Sequence, residues 1–301
     1  MLSDCFTSDI GVKQGCVLSP LLFNLFLADL PDCLNECNSS PLLLHDTILS
    51  CLLYADDLIL LSATKEGLQS LLDGLSLFCS KWGLDINIDK SKCIIFNKSD
   101  KSLAAYYRFL FNSVPLEIVN KYMYLGLKLS PSGKFLQTTQ DLSRRATRGL
   151  FKLRQNLQFS LKDSPRISLK LFESMIEPIL MYGCEVWGMR ITKDCPIEKV
   201  LIKFCKEILC VHKRTSIAPV YTELGKLPLK SLIKCRLLKY WFRLLCLPDD
   251  SLVKKAYLLD VSNVSAKANQ FKHSYSVYPV ISYDIFCHNY CMLPLAPRGR
   301  F

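Results

Sequence analysis

The sequence predicts an α+β protein in which a sheet-forming first part is followed by a helical, basic second part. Apolar runs of strand length flank the acidic pair Asp56-Asp57, a pattern typical of a β-hairpin. The stretch from Lys65 to Trp82 has its apolar residues at helical spacing, as in a helix that covers a sheet. After Ser130-Pro131-Ser132-Gly133 the character of the sequence changes, so we place a domain boundary at 130/131.

Composition narrows the class of protein. A chain of 301 residues that is half hydrophobic, with 16 Phe and 13 Tyr, is long enough for two folded domains and is not of the disordered class. No apolar run reaches the roughly eighteen residues of a membrane helix, and no secretion signal is visible, so we expect an intracellular protein of the nucleus, the cytoplasm or both. The 15 cysteines are scattered, which favours reduced thiols over a disulfide framework.

Charge is distributed unevenly along the chain. Residues 1–130 hold 10 Lys and Arg against 14 Asp and Glu, a net charge of −4, whereas residues 131–301 hold 28 against 13, a net charge of +15. An acidic part followed by a basic part is expected of a protein that acts on a polyanion and also grips it. A basic surface that is merely solvated would give the same totals, and charge alone leaves both interpretations open.

A glycine-rich turn precedes the first predicted helix. The stretch Gly11 to Gly15 has two glycines four apart, which free the backbone for close approach to a flat or phosphate-bearing group. Ser19-Pro20 is a typical helix start, and the apolar run that follows ends near Leu30-Pro31. Lys13 and Gln14 place a cation and an amide at the helix entrance, where backbone N–H groups also point outward.

The acidic pair is the strongest candidate for chemistry. Strands over 49–54 and 58–62 would be buried, leaving Asp56 and Asp57 at an exposed turn with no basic neighbour in sequence. Their charges repel, which raises at least one pKa and attracts a divalent cation, and hard oxygen ligands suit Mg²⁺. Aspartate is also a favoured turn residue, so the same pair occurs in turns that carry no chemistry.

The remaining elements follow in order. Two strands are predicted around a lysine-rich turn from Ile86 to Phe96, and a hairpin from Tyr106 to Ser113. Amphipathic helices are predicted over 139–157, from Ser164 with a kink at Pro178, from Pro196 to about His212 and over 229–247. The cluster Cys287, His288 and Cys291 has no zinc-site spacing, and we predict no zinc there.

The predicted helix over 139–157 carries a row of cations. Arg144, Arg148 and Lys152 recur every fourth residue, with Arg145 beside them. Like charges at that spacing repel by a few tenths of a kcal/mol per pair in an isolated helix, and a bound polyanion would offset that cost. We favour contact with nucleic acid over a face that is only solvated.

Two of these segments together resemble a known family. Gly11-Val12-Lys13-Gln14-Gly15-Cys16-Val17-Leu18-Ser19-Pro20-Leu21-Leu22-Phe23, followed about thirty residues later by Tyr54-Ala55-Asp56-Asp57, resembles motifs B and C of reverse transcriptases of non-LTR (LINE-type) retrotransposons. The ordered pair is far more specific than either part. The residues from Trp82 to Lys92 are similar to motif D, and those from Tyr124 to Leu129 to the motif E hairpin. Similarity to the segment after the polymerase continues to about Phe242.

The resemblance implies an architecture and a reaction. The architecture is a partial polymerase palm over 1–130, a basic helical thumb over 131–190 and a helical C-terminal segment over 191–301. The reaction is RNA-directed DNA synthesis, in which two Mg²⁺ ions assist nucleotidyl transfer, with an RNA template, a DNA primer or RNA/DNA hybrid, and dNTP as partners. Asp56 matches the first motif C aspartate, a metal ligand, and Asp57 the second. Lys90 matches a lysine near the departing pyrophosphate, although an ordinary surface lysine is as good an interpretation. Template and nucleotide contacts fall on Lys13, Gln14, Gly15, Tyr54, Arg144, Arg145, Arg148 and Lys152.

One essential part of the family pattern is missing. The motif A aspartate lies upstream of motif B, and the stretch before motif B, Met1 to Asp9, contains no match to it, since neither Asp4 nor Asp9 has the required surroundings. Two carboxylates from one turn do not enclose two metal ions about 4 Å apart, so we expect the chain alone not to polymerise. The alternative function is that of a non-catalytic remnant whose thumb still binds RNA or DNA.

Overall fold

The chain forms two units. The computed structural model describes residues 11–12, 15–37, 39–44, 46–97, 106–156, 164–191 and 195–259, and the backbone of 291–297. Unit 1 spans Met1–Tyr122, Ser130–Gly133 and Tyr283–Phe301, and unit 2 spans Met123–Leu129 and Lys134–Ser282. Strands and helices share unit 1 while helices dominate unit 2, so the predicted α+β class is confirmed. The palm and thumb assignments, and the boundaries at 130/131 and 190/191, stay predictions.

Unit 1 is built on a sheet with the strand order β3-β4-β12-β6-β9, and β5 pairs with the end of β12. Every neighbouring pair is antiparallel except β6 and β9, which are parallel. The strands are β3 (Cys51–Tyr54), β4 (Asp57–Ser62), β5 (Ile86–Asn87), β6 (Lys92–Ile95), β9 (Glu117–Ile118) and β12 (Cys291–Pro297).

Two small hairpins accompany this sheet. They pair β1 (Leu42–Leu44) with β2 (Thr47–Leu49), and β7 (Leu110–Phe111) with β8 (Val114–Pro115). The turn of the second, Asn112-Ser113, has φ values of 48° and 65°, as tight two-residue hairpin turns require. The predicted hairpin is therefore present at this place, with two residues in each strand.

Helix α3 (Lys65–Trp82) has the predicted bounds and covers β4. The Thr64 side chain accepts a hydrogen bond from the Gly67 N–H at 3.1 Å, which caps the first turn. The helix ends at Gly83, whose φ of 65° a side chain would disfavour. Full burial stabilises each large apolar side chain by about 1.5–3 kcal/mol, and α3 buries Leu68, Leu71, Leu72, Leu75 and Phe78.

The helix predicted from Ser19 to about Leu30 is present but ends earlier, and a second helix follows it. Helix α1 (Ser19–Phe26) ends well before Leu30, and α2 (Leu30–Asn35) starts afresh there. Pro31 explains the break, since a continuous helix would lack its N–H bond to the Leu27 carbonyl, whereas in the first turn of α2 no bond is lost.

Unit 2 begins with a hairpin and continues as packed helices. Its core includes Leu142 and Ala146 of the first long helix, and the rings of Phe172 and Phe204 stack with their centroids 4.4 Å apart. The hairpin is β10 (Tyr122–Tyr124) and β11 (Leu127–Leu129), and the helices are α4 (Leu136–Asn156), α5 (Pro165–Leu171), α6 (Glu177–Leu180), α7 (Cys184–Trp187), α8 (Pro196–Ile208), α9 (Ile217–Glu223) and α10 (Leu229–Leu245), with a further helix over 252–259.

Two details of these helices differ from the sequence prediction. The predicted kink near Pro178 is a π-helical turn, Phe172–Ile176, placed directly before α6. Because proline offers no N–H, the preceding turn widens instead of closing an ordinary helical bond. Helix α8 ends at Ile208 and not near His212, since Cys210 has the left-handed φ of 54°.

Candidate functional site

The two aspartates lie at the tip of the β3–β4 hairpin in different positions. Tyr54 pairs with Asp57, so only Ala55 and Asp56 form the turn and Asp57 is the first residue of β4. The predicted hairpin is present, but the prediction that both aspartates lie in the turn holds for Asp56 alone. Ala55 has a φ of 51°, a left-handed conformation that costs a residue with a side chain about 1–2 kcal/mol.

The carboxylates also differ in their surroundings. Asp56 is exposed and Asp57 is half-buried. Burial raises the pKa of Asp57, and the neighbouring charge of Asp56 raises it further. Neither carboxylate forms an ion pair with any residue that the structure describes. The tip is therefore a concentration of negative charge that no cation of the described residues pairs with.

Tyr122 lies close enough to the tip to sense it. Burial raises the pKa of its hydroxyl, and the charge of Asp57 adds to that effect. Sequence reasoning did not find this residue, because it follows Asp57 by 65 positions and stands in no pattern with it.

Lys90 lies at the same end of the sheet as Asp57. Strands β4 and β6 both run antiparallel to β12, so they run parallel to each other. Asp57 begins β4, and Lys90 comes just before β6 begins at Lys92. With β12 between the two strands, their backbones are two strand spacings, or roughly 10 Å, apart. The exposed Lys90 side chain makes no ion pair with a described residue, so the fold brings a free cation to the acidic edge.

The two carboxylates at this edge are suitable ligands for part of a metal site, but they do not form a complete site. Two carboxylate oxygen donors without a cationic partner are what a hard divalent ion requires. Within the described ranges, however, no three His, Cys, Asp or Glu side chains lie close enough to hold a metal ion. The described residues therefore do not fit a centre that encloses two ions.

The other residues predicted near the template are only partly described. Gly15 has a φ of 81° and open space where a side chain would stand, and Tyr54 is 62% exposed. Lys13 and Gln14 lie outside the described residues, as do Cys287 and His288, while Cys291 is described for its backbone alone. Gly15 and Tyr54 thus leave accessible surface in unit 1.

The predicted cationic row is present on α4. Arg144, Arg148 and Lys152, hereafter the basic face, are exposed and make no ion pair with described residues. Arg145 differs, because its guanidinium lies 2.6 Å from the Asp141 carboxylate and also donates to the Met123 sulfur. The opposite side of α4 buries Leu142, Ala146, Leu150 and Leu153, which fixes the direction of the basic face.

Comparison with known proteins shows what the first part of the chain resembles. Residues 5–131, which contain the Asp56-Asp57 hairpin, match the family "Reverse transcriptase (RNA-dependent DNA polymerase)". This segment is therefore similar to reverse transcriptases. Reverse transcriptases generally use a divalent metal, in keeping with the oxygen donors at the hairpin tip.

Similarity to individual reverse transcriptases extends beyond that segment. The chain is 30% identical over 185 residues to the probable RNA-directed DNA polymerase from transposon BS of Drosophila melanogaster, covering 60% of this chain and 20% of that protein. It is 26% identical over 187 residues to the RNA-directed DNA polymerase from mobile element jockey of Drosophila funebris, with 60% and 20% covered. A Pol polyprotein of retrotransposable element R2DM of Drosophila melanogaster is 32% identical over 171 residues, with 53% and 16% covered.

These relatives confirm the predicted resemblance of the chain to LINE-type reverse transcriptases. The chain spans about a fifth of the length of the first two relatives. Among the helices that the structure describes, none combines the length and the apolar character of a membrane span.

Proposed function

We propose that this chain supplies part of the palm, and the thumb, of an RNA-directed DNA polymerase of a LINE-type retrotransposon. The observation that carries the proposal is the hairpin tip. There, two carboxylates that form no ion pair with a described residue lie inside the segment that matches the reverse transcriptase family. In this proposal unit 1 is the palm portion and α4 with the helices packed on it is the thumb.

Asp56 and Asp57 hold a divalent ion, Mg²⁺, in the assembled polymerase. When bound, such ions activate a primer 3′ hydroxyl and neutralise the triphosphate. The protein's own contribution is to fix two oxygen donors at a short hairpin, with Asp57 anchored by its pairing to Tyr54. Lys90 at the same sheet end supplies positive charge for a departing pyrophosphate. Gly15 and Tyr54, with Lys13 and Gln14, face template and nucleotide.

Metal binding at the tip is directly testable. Mn²⁺, a paramagnetic substitute for Mg²⁺, is titrated into the purified chain while free Mn²⁺ is followed by electron paramagnetic resonance. We expect Asp56→Asn to remove one bound ion, whereas Asp32→Asn, which changes an exposed acid on α2, leaves binding unchanged. Equal binding by both variants contradicts the assignment of the tip as a metal site.

The chain by itself does not add nucleotides, in our proposal. Two carboxylates on adjacent residues do not enclose two ions about 4 Å apart, and the described part of the chain provides no third acid at the tip. A primer-extension assay with RNA template, DNA primer, dNTP and Mg²⁺ is expected to give no product. Template-dependent product that Asp56→Asn abolishes contradicts inactivity but supports the polymerase assignment.

The basic face supports a second function, which is binding of nucleic acid without turnover. Three cations that make no ion pair among the described residues lie along one exposed helix side, which suits the phosphates of an RNA/DNA hybrid. Fluorescence anisotropy with a labelled hybrid, run beside primer extension on the same hybrid, separates the two functions. Binding without extension supports the second function, and extension supports the first. Absence of binding contradicts the thumb assignment.

A further inference from the structure

The position between β4 and β6 is filled by the far end of the chain. β12 (Cys291–Pro297) pairs with β4 over five residues, from Cys291 opposite Ser62 to Leu295 opposite Leu58. Its other side pairs with β6 at two residues, Cys291 and Met292, and with β5 at Ala296 and Pro297. The two halves of the sheet are thus joined through a segment that follows β6 by almost two hundred residues.

The strands on either side are interior strands, not natural edges. Ile59 and Leu60 of β4 are fully buried, as are Cys93 and Ile94 of β6 within a few per cent. Without a strand between them, both would present unpaired N–H and C=O groups next to buried apolar side chains. In this structure β12 pairs with the groups that both strands would otherwise leave open.

The segment that fills it is poorly suited to a central strand. Pro294 has no N–H to donate, and proline is found almost only in edge strands or bulges. Pairing on the β6 side stops at Met292 and resumes only at Ala296, so Pro294 falls within the gap. The pairing of β12 with β4 is continuous, whereas its pairing with β6 and β5 is interrupted.

We propose that the position between β4 and β6 is a strand-docking site, which the chain's own residues 291–297 occupy reversibly. The preferred ligand is an extended apolar segment, antiparallel to β4, with an N–H at the place of Pro294. Such a segment has an N–H group where Pro294 has none, so it can pair at a position where the resident strand cannot donate, and it displaces that strand.

Hydrogen exchange of the intact chain tests the occupancy. Pro294→Val restores one N–H, and we expect the amides of β4 and β6 to exchange about fivefold more slowly, the equivalent of one net hydrogen bond. Met292→Pro removes a paired residue and is expected to accelerate the same amides. Pro248→Val, at an exposed site in unit 2, is the control and leaves them unchanged. Unchanged exchange in both β12 variants, with unaltered circular dichroism, overturns the proposal.

A peptide tests the exchange. The probe is a fluorescent peptide of residues 289–298 with Pro294→Val and Cys291→Ser, added to the intact chain. Saturable binding that is stronger than that of the unmodified proline peptide, and absent for a scrambled peptide, supports a docking site. Equal binding of all three peptides overturns it. Light scattering is expected to give a monomer, whereas a dimer that the peptide dissociates places the strand in a second copy and overturns occupancy within one chain.

Discussion

The acidic hairpin tip of unit 1 and the basic face of unit 2 both hold like charges together with no ion pair to a described residue, the first on a hairpin and the second on a helix. At the tip, two adjacent residues hold their carboxylates at one point, and the sheet fixes one of them by pairing Asp57 to Tyr54. On α4, the three cations span nine residues, or about 12 Å of helix. The tip therefore suits a small ion, and the helix suits a linear polyanion.

Some charged side chains of unit 2 form ion pairs that stabilise the fold, whereas those of the basic face are available to a ligand. In unit 2 the Lys226 ammonium is nearly buried and contacts Glu173 at 2.7 Å and Glu177 at 3.3 Å. These ion pairs hold the loop between α9 and α10 against the helical segment 172–180. Arg154 is similarly paired with Glu207 at 2.5 Å. The basic face has no such contacts among the described residues, and this contrast is what the following changes test.

Neutralising the basic face is expected to have the largest effect. Arg144→Gln, Arg148→Gln and Lys152→Gln together should lower the salt dependence of hybrid binding by about one unit of slope per residue, because each cation releases counterions from a phosphate. Anisotropy titrations at several salt concentrations measure the slope. The matched control is Lys199→Gln with Lys203→Gln, two exposed cations one turn apart on α8. If the α4 variant and the α8 variant show the same salt dependence of binding, the basic face is not a special contact surface for the hybrid.

Removing the paired cation should affect stability instead. Lys226→Met leaves Glu177, whose side chain is 15% exposed, without its partner, and we expect a loss of about 3 kcal/mol in the free energy of unfolding. Burial lowers the pKa of Lys226, but its bonds to Glu173 and Glu177 outweigh that effect and raise it. The stabilisation is thus present at neutral pH and disappears as the pH rises through the raised pKa, above 10.5.

Urea unfolding at pH 7 and in strong alkali measures this prediction. Lys170→Met, which changes an exposed lysine on α5, is the control and should shift stability by less than about 0.5 kcal/mol. A Lys226→Met protein as stable as the wild type at pH 7 would show that this ion pair is not structural.

Local sequence patterns predicted the parts of both sites that depend on neighbouring residues. The β3–β4 hairpin, the bounds of α3 and the cationic row of α4 all follow from turn residues and apolar periodicity over short distances. The errors also have local causes: Pro31 begins a new helix instead of ending the old one, and Cys210 ends α8 early in a conformation that its residue type does not favour.

Long-range pairing was beyond the reach of those patterns. Nothing in residues 291–297 indicates a central strand, since two prolines argue against one. The position of Lys90 at the same sheet end as Asp57 depends on strand order and not on spacing in sequence. The effect of the Asp57 charge on the pKa of Tyr122 likewise links residues that are far apart in sequence. The sequence likewise did not show that Arg145 and Lys226 form ion pairs, because those pairs depend on the folded arrangement of the helices.

A smaller change should sharpen the description of the tip. Ala55→Gly relieves a left-handed conformation at φ 51°, so we expect a gain of about 1 kcal/mol in the free energy of unfolding. Ala63→Gly, at an exposed alanine outside that conformation, is the control and should give no gain. Urea unfolding followed by circular dichroism measures both. If Ala55→Gly instead weakens Mn²⁺ binding without a gain in stability, the strained turn serves to aim the carboxylates.

The smallest expected effect, and the most specific, is that of removing the charge of Asp57. Because its pKa is raised in the folded chain, ionisation of this carboxyl opposes folding, and that cost is present at neutral pH and disappears as the pH falls. Asp57→Asn should therefore raise the unfolding temperature at pH 7 and have no effect near pH 3, where the wild-type carboxyl is also neutral. A saturating divalent cation should reverse the order at pH 7, because only the wild type retains both oxygen donors for the ion. If Asp57→Asn also stabilises the chain at pH 3, the effect comes from packing and not from charge. Repulsion between the Asp56 and Asp57 carboxylates would then not destabilise the fold, and a metal ion would have no such repulsion to offset.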